Sequence, residues 1–127
     1  MRQPFRLTRS NEIKRVRRNG KSFSHPLFVL IKFPNQLGIT RFTITASKRV
    51  GNAVIRNRCR RRIRACVRQL YPGFALGWDL LILARTPLQA ASYLELQAAI
   101  QAQLRRAGIL GEMNDDGINL RRSNTTN

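Results

Sequence analysis

The sequence predicts a single α+β domain in which helices pack on a small mixed sheet. Its 127 residues, 43% of them hydrophobic, are enough for one modest core. Segments with a helical apolar period alternate with segments rich in β-branched and aromatic residues, in the order helix, strand, strand, helix, strand, helix. We expect this domain to occupy residues 1–110 and to be followed by a polar, disordered tail over residues 111–127.

The first predicted element is a short basic helix near the N-terminus. Thr8 or Ser10 is suited to cap it, because a short hydroxyl side chain accepts a hydrogen bond from a free backbone N–H. Ile13 and Val16 give this helix an apolar side, and Gly20 is its expected terminator.

Two strands are predicted after this helix. Residues 28–33 are rich in β-branched and aromatic side chains, and residues 39–46 alternate between apolar and polar ones. Residues 34–38, which include Pro, Asn and Gly, have the composition of a turn. We therefore expect the two strands to be antiparallel neighbours with one face in solvent.

The C-terminal half contributes one more strand and one more helix. Residues 79–85 contain a continuous apolar run, which is typical of a central buried strand. Ser92 and Glu95 form a capping box at the start of the last helix, and Gly108 is its expected end. The predicted apolar stripe of this helix consists of Tyr93, Leu96, Ile100, Leu104 and Ala107.

The most informative segment is residues 48–68, which contains nine basic residues, no acidic one, and a helical apolar period. The apolar arc of the predicted helix consists of Ile55, Cys59, Ile63, Cys66, Val67 and Leu70. The adjoining arc consists of Asn57, Arg60, Arg61, Arg64 and Arg68. Like charges three and four residues apart repel each other, so a polyanionic partner would remove a cost to stability. We expect this helix to lie against a polyanion.

The net charge of +18 is confined to one half of the chain. Residues 1–68 hold 19 Lys or Arg and one acidic residue, Glu12, whereas residues 69–127 hold five residues of each sign. A charge meant only for solubility would be spread evenly, so this imbalance predicts a charged face on the folded domain. Nucleic acid is the leading partner on charge alone.

The basic helix has three interpretations: a solvated face without a partner, a membrane-surface helix, and a nucleic-acid binder. Seven arginines between positions 56 and 68 favour the last, because the guanidinium fork suits phosphate and stacks on bases. The apolar arc carries small cysteines, Ile and Val, unlike an interfacial helix, so we expect no membrane contact. Asn52 and Asn57 favour folded RNA over DNA, although each could instead cap a turn.

We expect no catalytic or metal site in the protein itself. The six acidic residues are scattered, and Cys59 and Cys66 lie on the apolar arc, where they are expected to be reduced, buried thiols. The one histidine, His25, lies in another segment and leaves zinc without enough ligands. The N-terminus lacks a secretory signal and the longest apolar runs are five residues, so we expect a cytoplasmic protein.

The string KRVGNAVIRNRCRRRIR, residues 48–64, closely resembles the signature of the bacterial ribonuclease P protein component. That protein is the small basic subunit of the ribonucleoprotein that matures tRNA 5′ ends. The resemblance covers about residues 5–107 and also includes the segments RLTRSNEI, LFVLI, SKRVGNAV and LLILAR. The Gly-Asn turn followed by Arg56, Asn57 and Arg58 is its most specific part.

The resemblance implies a left-handed βαβ crossover and contact between the basic helix and the catalytic RNA. The positions that match the RNA-contacting motif are Lys48, Arg49, Asn52, Arg56, Asn57, Arg58, Arg60, Arg61 and Arg64. Arg68 is added because it lies on the same helix face. The resemblance also implies that Mg²⁺ belongs to the RNA subunit, which hydrolyses the phosphodiester, while the protein supports the RNA fold and raises substrate affinity.

A further implication is that the single-stranded 5′ leader of precursor tRNA lies in a cleft between the first helix and the sheet. The family often places aromatic residues there, whereas the positions offered by this chain are Ile13, Val16, Arg17 and Ile31. We therefore expect leader binding to depend on charge, through Arg17, Arg56 and Arg60. Core packing is the alternative for Ile13 and Ile31.

Two other functions stay open at this point. One is a ribosomal or ribosome-assembly protein that binds structured RNA through the same helix, and the other is a sequence-specific DNA regulator. Tighter binding of leadered than of mature tRNA would favour the ribonuclease P subunit, which is not expected to bind DNA. A preference for palindromic DNA at moderate salt would favour the regulator.

Overall fold

The computed structural model describes residues 6–111, which form a four-stranded mixed sheet with three α-helices. The helices are α1 (Ser10–Asn19), α2 (Ala53–Leu70) and α3 (Tyr93–Arg106). The strands are β1 (Lys21–Ser24), β2 (Phe28–Pro34), β3 (Arg41–Ala46) and β4 (Trp78–Ala84). Two 3₁₀ turns, Tyr71–Gly73 and Thr86–Ala90, follow α2 and β4. The predicted α+β class is confirmed.

The pairing of the strands differs from the prediction. The sheet order is β1-β2-β4-β3, so β4 lies between β2 and β3, which were expected to be neighbours. β4 is antiparallel to β2 and parallel to β3, and α2 connects the parallel pair. The reason is that β4 is apolar on both faces and is stable at the centre, with a strand on each edge. The turn composition between β2 and β3 carries no information about this third strand.

β1 is an additional strand that the sequence pattern did not indicate. It has four residues, KSFS, of which Phe23 is buried and the other three are exposed. It pairs with β2 along residues 29–32 and forms one edge of the sheet. A strand this short, with one buried side chain, has too little alternation to stand out in a sequence.

α2 and α3 cover one face of the sheet and form the main core with it. The predicted stripe of α3 is buried at Leu96, Ile100, Leu104 and Ala107, but Tyr93, in its first turn, is 42% exposed. α1 covers part of the opposite face through a smaller apolar cluster, which consists of Leu7, Val16, Ile31 and Leu81. The sheet is therefore covered by two helices on one face and only in part on the other.

The N-terminus of α1 differs from the prediction. The helix begins at Ser10 with Arg9 as its N-cap residue, so the cap expected at Thr8 or Ser10 is wrong. Instead, Asn11 Oδ1 accepts a hydrogen bond from the Glu12 N–H at 3.0 Å, which satisfies one first-turn donor from within the helix.

Two other predicted helix ends are confirmed. Gly20 follows α1, and its N–H donates to the Val16 carbonyl at 2.8 Å. A Cβ at Gly20 would lie 2.5 Å from that carbonyl oxygen and 2.7 Å from the Lys32 carbonyl oxygen, so only glycine fits. At α3, Ser92 N–H donates to Glu95 Oε1 at 2.8 Å and Glu95 N–H donates to Ser92 Oγ at 3.1 Å, which completes the capping box.

A charged network joins α1 to the sheet. Arg41 donates from Nε and Nη2 to the two carboxylate oxygens of Asp79, at 2.9 and 2.8 Å, and from Nη1 to Glu12 Oε1 at 3.3 Å. Asp79 is only 5% exposed and also accepts a hydrogen bond from Asn35 Nδ2 at 2.8 Å. This network holds the first turn of α1 over the first residues of β3 and β4.

Most of the predicted tail lies outside the described residues, which end at Gly111. None of the helices between residues 6 and 111 is long and apolar enough to cross a bilayer. Within the same range, His, Cys, Asp and Glu side chains form no cluster that could hold a metal ion.

Candidate nucleic-acid interface

The start of α2 depends on a Gly-Asn pair. Gly51 has φ 153°, and a Cβ there would lie 2.9 Å from the side chain of Ile55, so glycine is required for both reasons. Asn52 is the N-cap residue, and its Oδ1 accepts a hydrogen bond from the Ile55 N–H at 3.0 Å. The capping interpretation of Asn52 is therefore correct, and the cap leaves its side-chain NH₂ group available as a donor.

The apolar arc of α2 packs on the sheet as the sequence predicts. Cys59, Ile63, Cys66 and Val67 are buried there. Burial raises the pKa of both thiols, although nearby arginines act in the opposite direction on Cys59, and a hydrogen bond with Tyr93 and the charge of Arg62 do so on Cys66. Buried thiols with a raised pKa are poor nucleophiles, so these cysteines act as core residues.

The remaining surface of α2 forms what we call the basic face. It consists of Arg58, Arg60, Arg61, Arg64 and Arg68, together with Arg6 from the chain before α1. The Leu7 N–H donates to the Phe42 carbonyl at 2.9 Å, which holds this N-terminal segment along the free edge of β3. Partial burial, and then the charges of Arg6, Arg68 and Arg60, lower the pKa of Arg64. Arg6, Arg60 and Arg68 are therefore close enough to Arg64 for their charges to repel it.

Sequence reasoning missed Arg6. It lies far from α2 in the chain, and only the edge pairing with β3 brings it beside Arg64. The surplus of basic residues before position 68 was the one available signal, and it does not single out Arg6.

The other predicted RNA-binding residues occupy several environments. Lys48, Arg49 and Asn57 are exposed, and Asn57 Oδ1 accepts a hydrogen bond from Arg60. Arg56 is half-buried in the first turn of α2, and its Nε is buried without a hydrogen-bond partner among the residues that the structure describes. A buried guanidinium N–H without a partner favours a ligand oxygen nearby.

A groove of about 450 Å³ opens between α1 and the residues that lead into α2. Three arginines, Arg17, Arg49 and Arg85, line it, and Arg85 Nη1 also donates to the His25 carbonyl at 3.1 Å. Its floor is aliphatic, with half-buried Val29 and Leu83 from β2 and β4. The remaining lining residues are Ser47, Val50, Ala84, Thr86 and Pro87. A cationic rim and an apolar floor suit a single-stranded nucleic acid, because such a ligand presents phosphates and bases at the same time.

Of the residues predicted for such a cleft, Arg17 lines the groove and Ile31 does not. Ile31 is 4% exposed beneath α1, so the core-packing alternative is correct for it. Val16 is buried in the same cluster, and Ile13 is half-buried against it. The sequence identified the correct face of β2, but Val29, two residues earlier on that face, is the residue that α1 leaves uncovered.

An aromatic residue also lies on this face of the sheet. Phe33 is half-buried and packs against the α1 cluster. It lines a smaller cavity of about 120 Å³, beside Glu12 and Arg15, and not the groove. The groove floor is therefore aliphatic, but Ile13, Val16 and Ile31, which the sequence offered for the cleft, do not line it.

Arg62 has a different environment from the other α2 arginines. It lies on the opposite flank of the apolar arc and donates from Nη1 to the Leu88 carbonyl at 3.1 Å and from Nη2 to the Ala91 carbonyl. These acceptors belong to the 3₁₀ turn Thr86–Ala90 and the residue after it. Arg62 therefore makes protein contacts, whereas Arg58 and Arg61 of the same helix are exposed.

A protein-family model described as Ribonuclease P matches residues 1–108 of the chain. The chain belongs to the ribonuclease P protein family. The Ribonuclease P protein component of Roseiflexus castenholzii is 41% identical over 111 residues, which cover 87% of this chain and 91% of that protein. The one from Clostridium beijerinckii is 35% identical over 112 residues, with 83% and 90% covered.

Solved structures agree with this ribonuclease P assignment. The Staphylococcus aureus RNase P protein matches with a TM-score of 0.77 at 27% identity, over 84% of this chain and 98% of that one. The Thermotoga maritima RNase P protein, at 22% identity and a TM-score of 0.73 over 80% of this chain and 96% of that one, shares the fold. The resemblance carried by the Gly-Asn turn and the arginine-rich helix is confirmed, and it places the chain in tRNA processing as a component of ribonuclease P.

Proposed function

We propose that this ribonuclease P protein binds two RNAs at once. The catalytic RNA lies on the basic face of α2, and the 5′ leader of precursor tRNA lies in the groove. The observation that carries the proposal is that the two surfaces adjoin: the loop that contributes Arg49 and Val50 to the groove leads directly into α2 through its cap, Asn52. One short segment thus connects both RNA sites.

The basic face supports binding of a folded RNA. Arg6, Arg68 and Arg60 repel Arg64 in the free protein and add to the effect of its partial burial in lowering its pKa, and phosphates would remove that repulsion. Exposed Asn57 and the free NH₂ group of Asn52 add donors suited to sugar hydroxyls and phosphate oxygens.

The groove supports binding of single-stranded RNA with little dependence on its nucleotide sequence. Val29 and Leu83 supply contact area without an aromatic face, so base stacking on the floor is weak and binding depends on charge. That charge comes from Arg17, Arg49 and Arg85, which places Arg49 and Arg85 in the role that the sequence suggested for Arg56 and Arg60.

Hydrolysis is assigned to the RNA subunit, with Mg²⁺ bound by RNA, in the cytoplasm. The protein contributes affinity and orientation: it holds the leader at a fixed distance from the catalytic RNA and so positions the scissile phosphate.

The test is multiple-turnover cleavage of precursor tRNA by the cognate catalytic RNA at low millimolar Mg²⁺, with and without the protein. Cleavage at the mature 5′ end that depends on the protein is the expected result. A preference of the assembled enzyme for leadered over mature tRNA is expected as well. Tight RNA binding without stimulation would reject the proposal and favour the ribosomal alternative.

A further inference from the structure

One wall of the groove is formed by the 3₁₀ turn Thr86–Ala90. Thr86 and Pro87 line the groove, and Leu88 is completely buried behind them. A turn of five residues has few internal hydrogen bonds, so its position depends on bonds to neighbouring elements.

Two of these bonds connect the turn to the loop that leads into α2, which also lines the groove. Thr86 Oγ1 donates to the Arg49 carbonyl at 3.2 Å, and Gln89 Nε2 donates to the Val50 carbonyl at 3.3 Å. Both acceptors lie in the loop that leads into α2. Both bonds are long, so the position of the turn also depends on buried Leu88 and on polar contacts at its far end, around Leu88 and Ala91.

Arg62 holds that far end. Its guanidinium spans the carbonyls of Leu88 and Ala91, at the C-terminal end of the turn where the backbone carries partial negative charge. The planar fork holds its two donors in a fixed geometry, whereas the ammonium of a lysine is a point charge on a flexible stem and is not pre-organised for both carbonyls. Arg62 is half-buried by these contacts, whereas Arg61, next to it in the chain, is exposed on the basic face.

We infer that Arg62 is a positioning residue for the leader site: it fixes the groove wall to α2 and does not bind RNA. It thereby links the helix that contacts the catalytic RNA to the site that holds the leader. This inference rests on the proposed function, because the groove matters only if RNA occupies it.

The experiment uses the holoenzyme assembled with Arg62→Ala, Arg62→Lys or the matched control Arg61→Ala. For both Arg62 variants, the preference for leadered over leaderless tRNA should fall by about tenfold, as KM rises with kcat unchanged. Affinity for the catalytic RNA and its salt dependence should stay within about twofold of wild type. Arg61→Ala should do the reverse, with weaker assembly, a smaller salt slope and an unchanged leader preference.

Arg62→Lys separates geometry from charge. A phosphate contact would tolerate lysine, so rescue of leader preference by Arg62→Lys, together with a reduced salt slope in Arg62→Ala, would overturn the inference. Unchanged leader preference in both variants would also overturn it.

A second measurement on the free protein does not depend on RNA. The Ala91 N–H bonds to the Leu88 carbonyl, which Arg62 also contacts, so hydrogen exchange at Ala91 should become at least about tenfold faster in Arg62→Ala. Unchanged exchange would overturn the inference. If the wild-type holoenzyme shows no preference for a leader while exchange at Ala91 does accelerate, the contact is real and the proposed function is the part that fails.

Discussion

Removing two positive charges from the basic face should make RNA binding weaker and less dependent on salt, and the size of the change follows from the number of phosphate contacts. Six guanidinium groups form this face: Arg6, Arg58, Arg60, Arg61, Arg64 and Arg68. At about 0.7 to 0.9 counterions released per phosphate, six contacts give a slope of about −5 for log K against log salt. Affinity for the catalytic RNA should then fall by about a thousandfold between 50 and 200 mM salt.

The double variant Arg58→Ala/Arg61→Ala tests this estimate. Both side chains are exposed, so the fold should be kept while the slope falls to about −3 and the loss over the same salt range falls to about a hundredfold. The assay is equilibrium binding of labelled catalytic RNA at four or more salt concentrations, with thermal unfolding as the measure of the fold.

A matched control removes the same charge elsewhere. Arg105 and Arg106 lie in the last turn of α3, and Arg106 lies over Phe23 in β1, at the sheet edge opposite β3. Arg105→Ala/Arg106→Ala should leave the slope near −5. If both double variants reduce the slope equally, binding depends on overall charge and the reasoning from a distinct face is refuted.

Three further predictions concern the protein alone. Arg41→Ala should lower the free energy of unfolding in urea by about 3 kcal/mol, because it leaves buried Asp79 without its ion pair; a loss below about 1 kcal/mol would contradict this. Burial lowers the pKa of His25, so the unfolded state binds a proton at this residue more readily than the folded state. The contribution of His25 to the free energy of unfolding should be fully present above pH 6.5 and should decrease below it, and His25→Gln should remove that part of the decrease. Cys59 and Cys66 should react with a maleimide only after unfolding, and rapid labelling of the native protein would show that they are accessible.

Local patterns in the sequence predicted most of the elements. The apolar period of α2, the capping box at Ser92 and Glu95, and the glycine after α1 depend on contacts within a few residues, and all three are confirmed. The continuous apolar run of β4 also indicated its central place in the sheet, because such a strand needs both faces covered.

Tertiary structure decided which surfaces are available. Strand order, the pairing of Arg6 with the β3 edge, and the burial of Ile31 beneath α1 all arise between segments far apart in the chain. Arg62 is an example at a single position. The sequence does not distinguish it from the neighbouring Arg61, yet Arg61 faces solvent and Arg62 contacts the carbonyls of a distant turn.

By itself, therefore, the sequence determined the fold class, the basic helix and the family. These depend on composition, on periodicity and on a short motif whose Gly-Asn turn has its own backbone requirement. Only the tertiary structure decided that a groove adjoins that helix, which residues form its floor, and which arginine holds its wall. Those features depend on where α1 crosses the sheet and on which strand lies between β2 and β3, and non-local packing sets both.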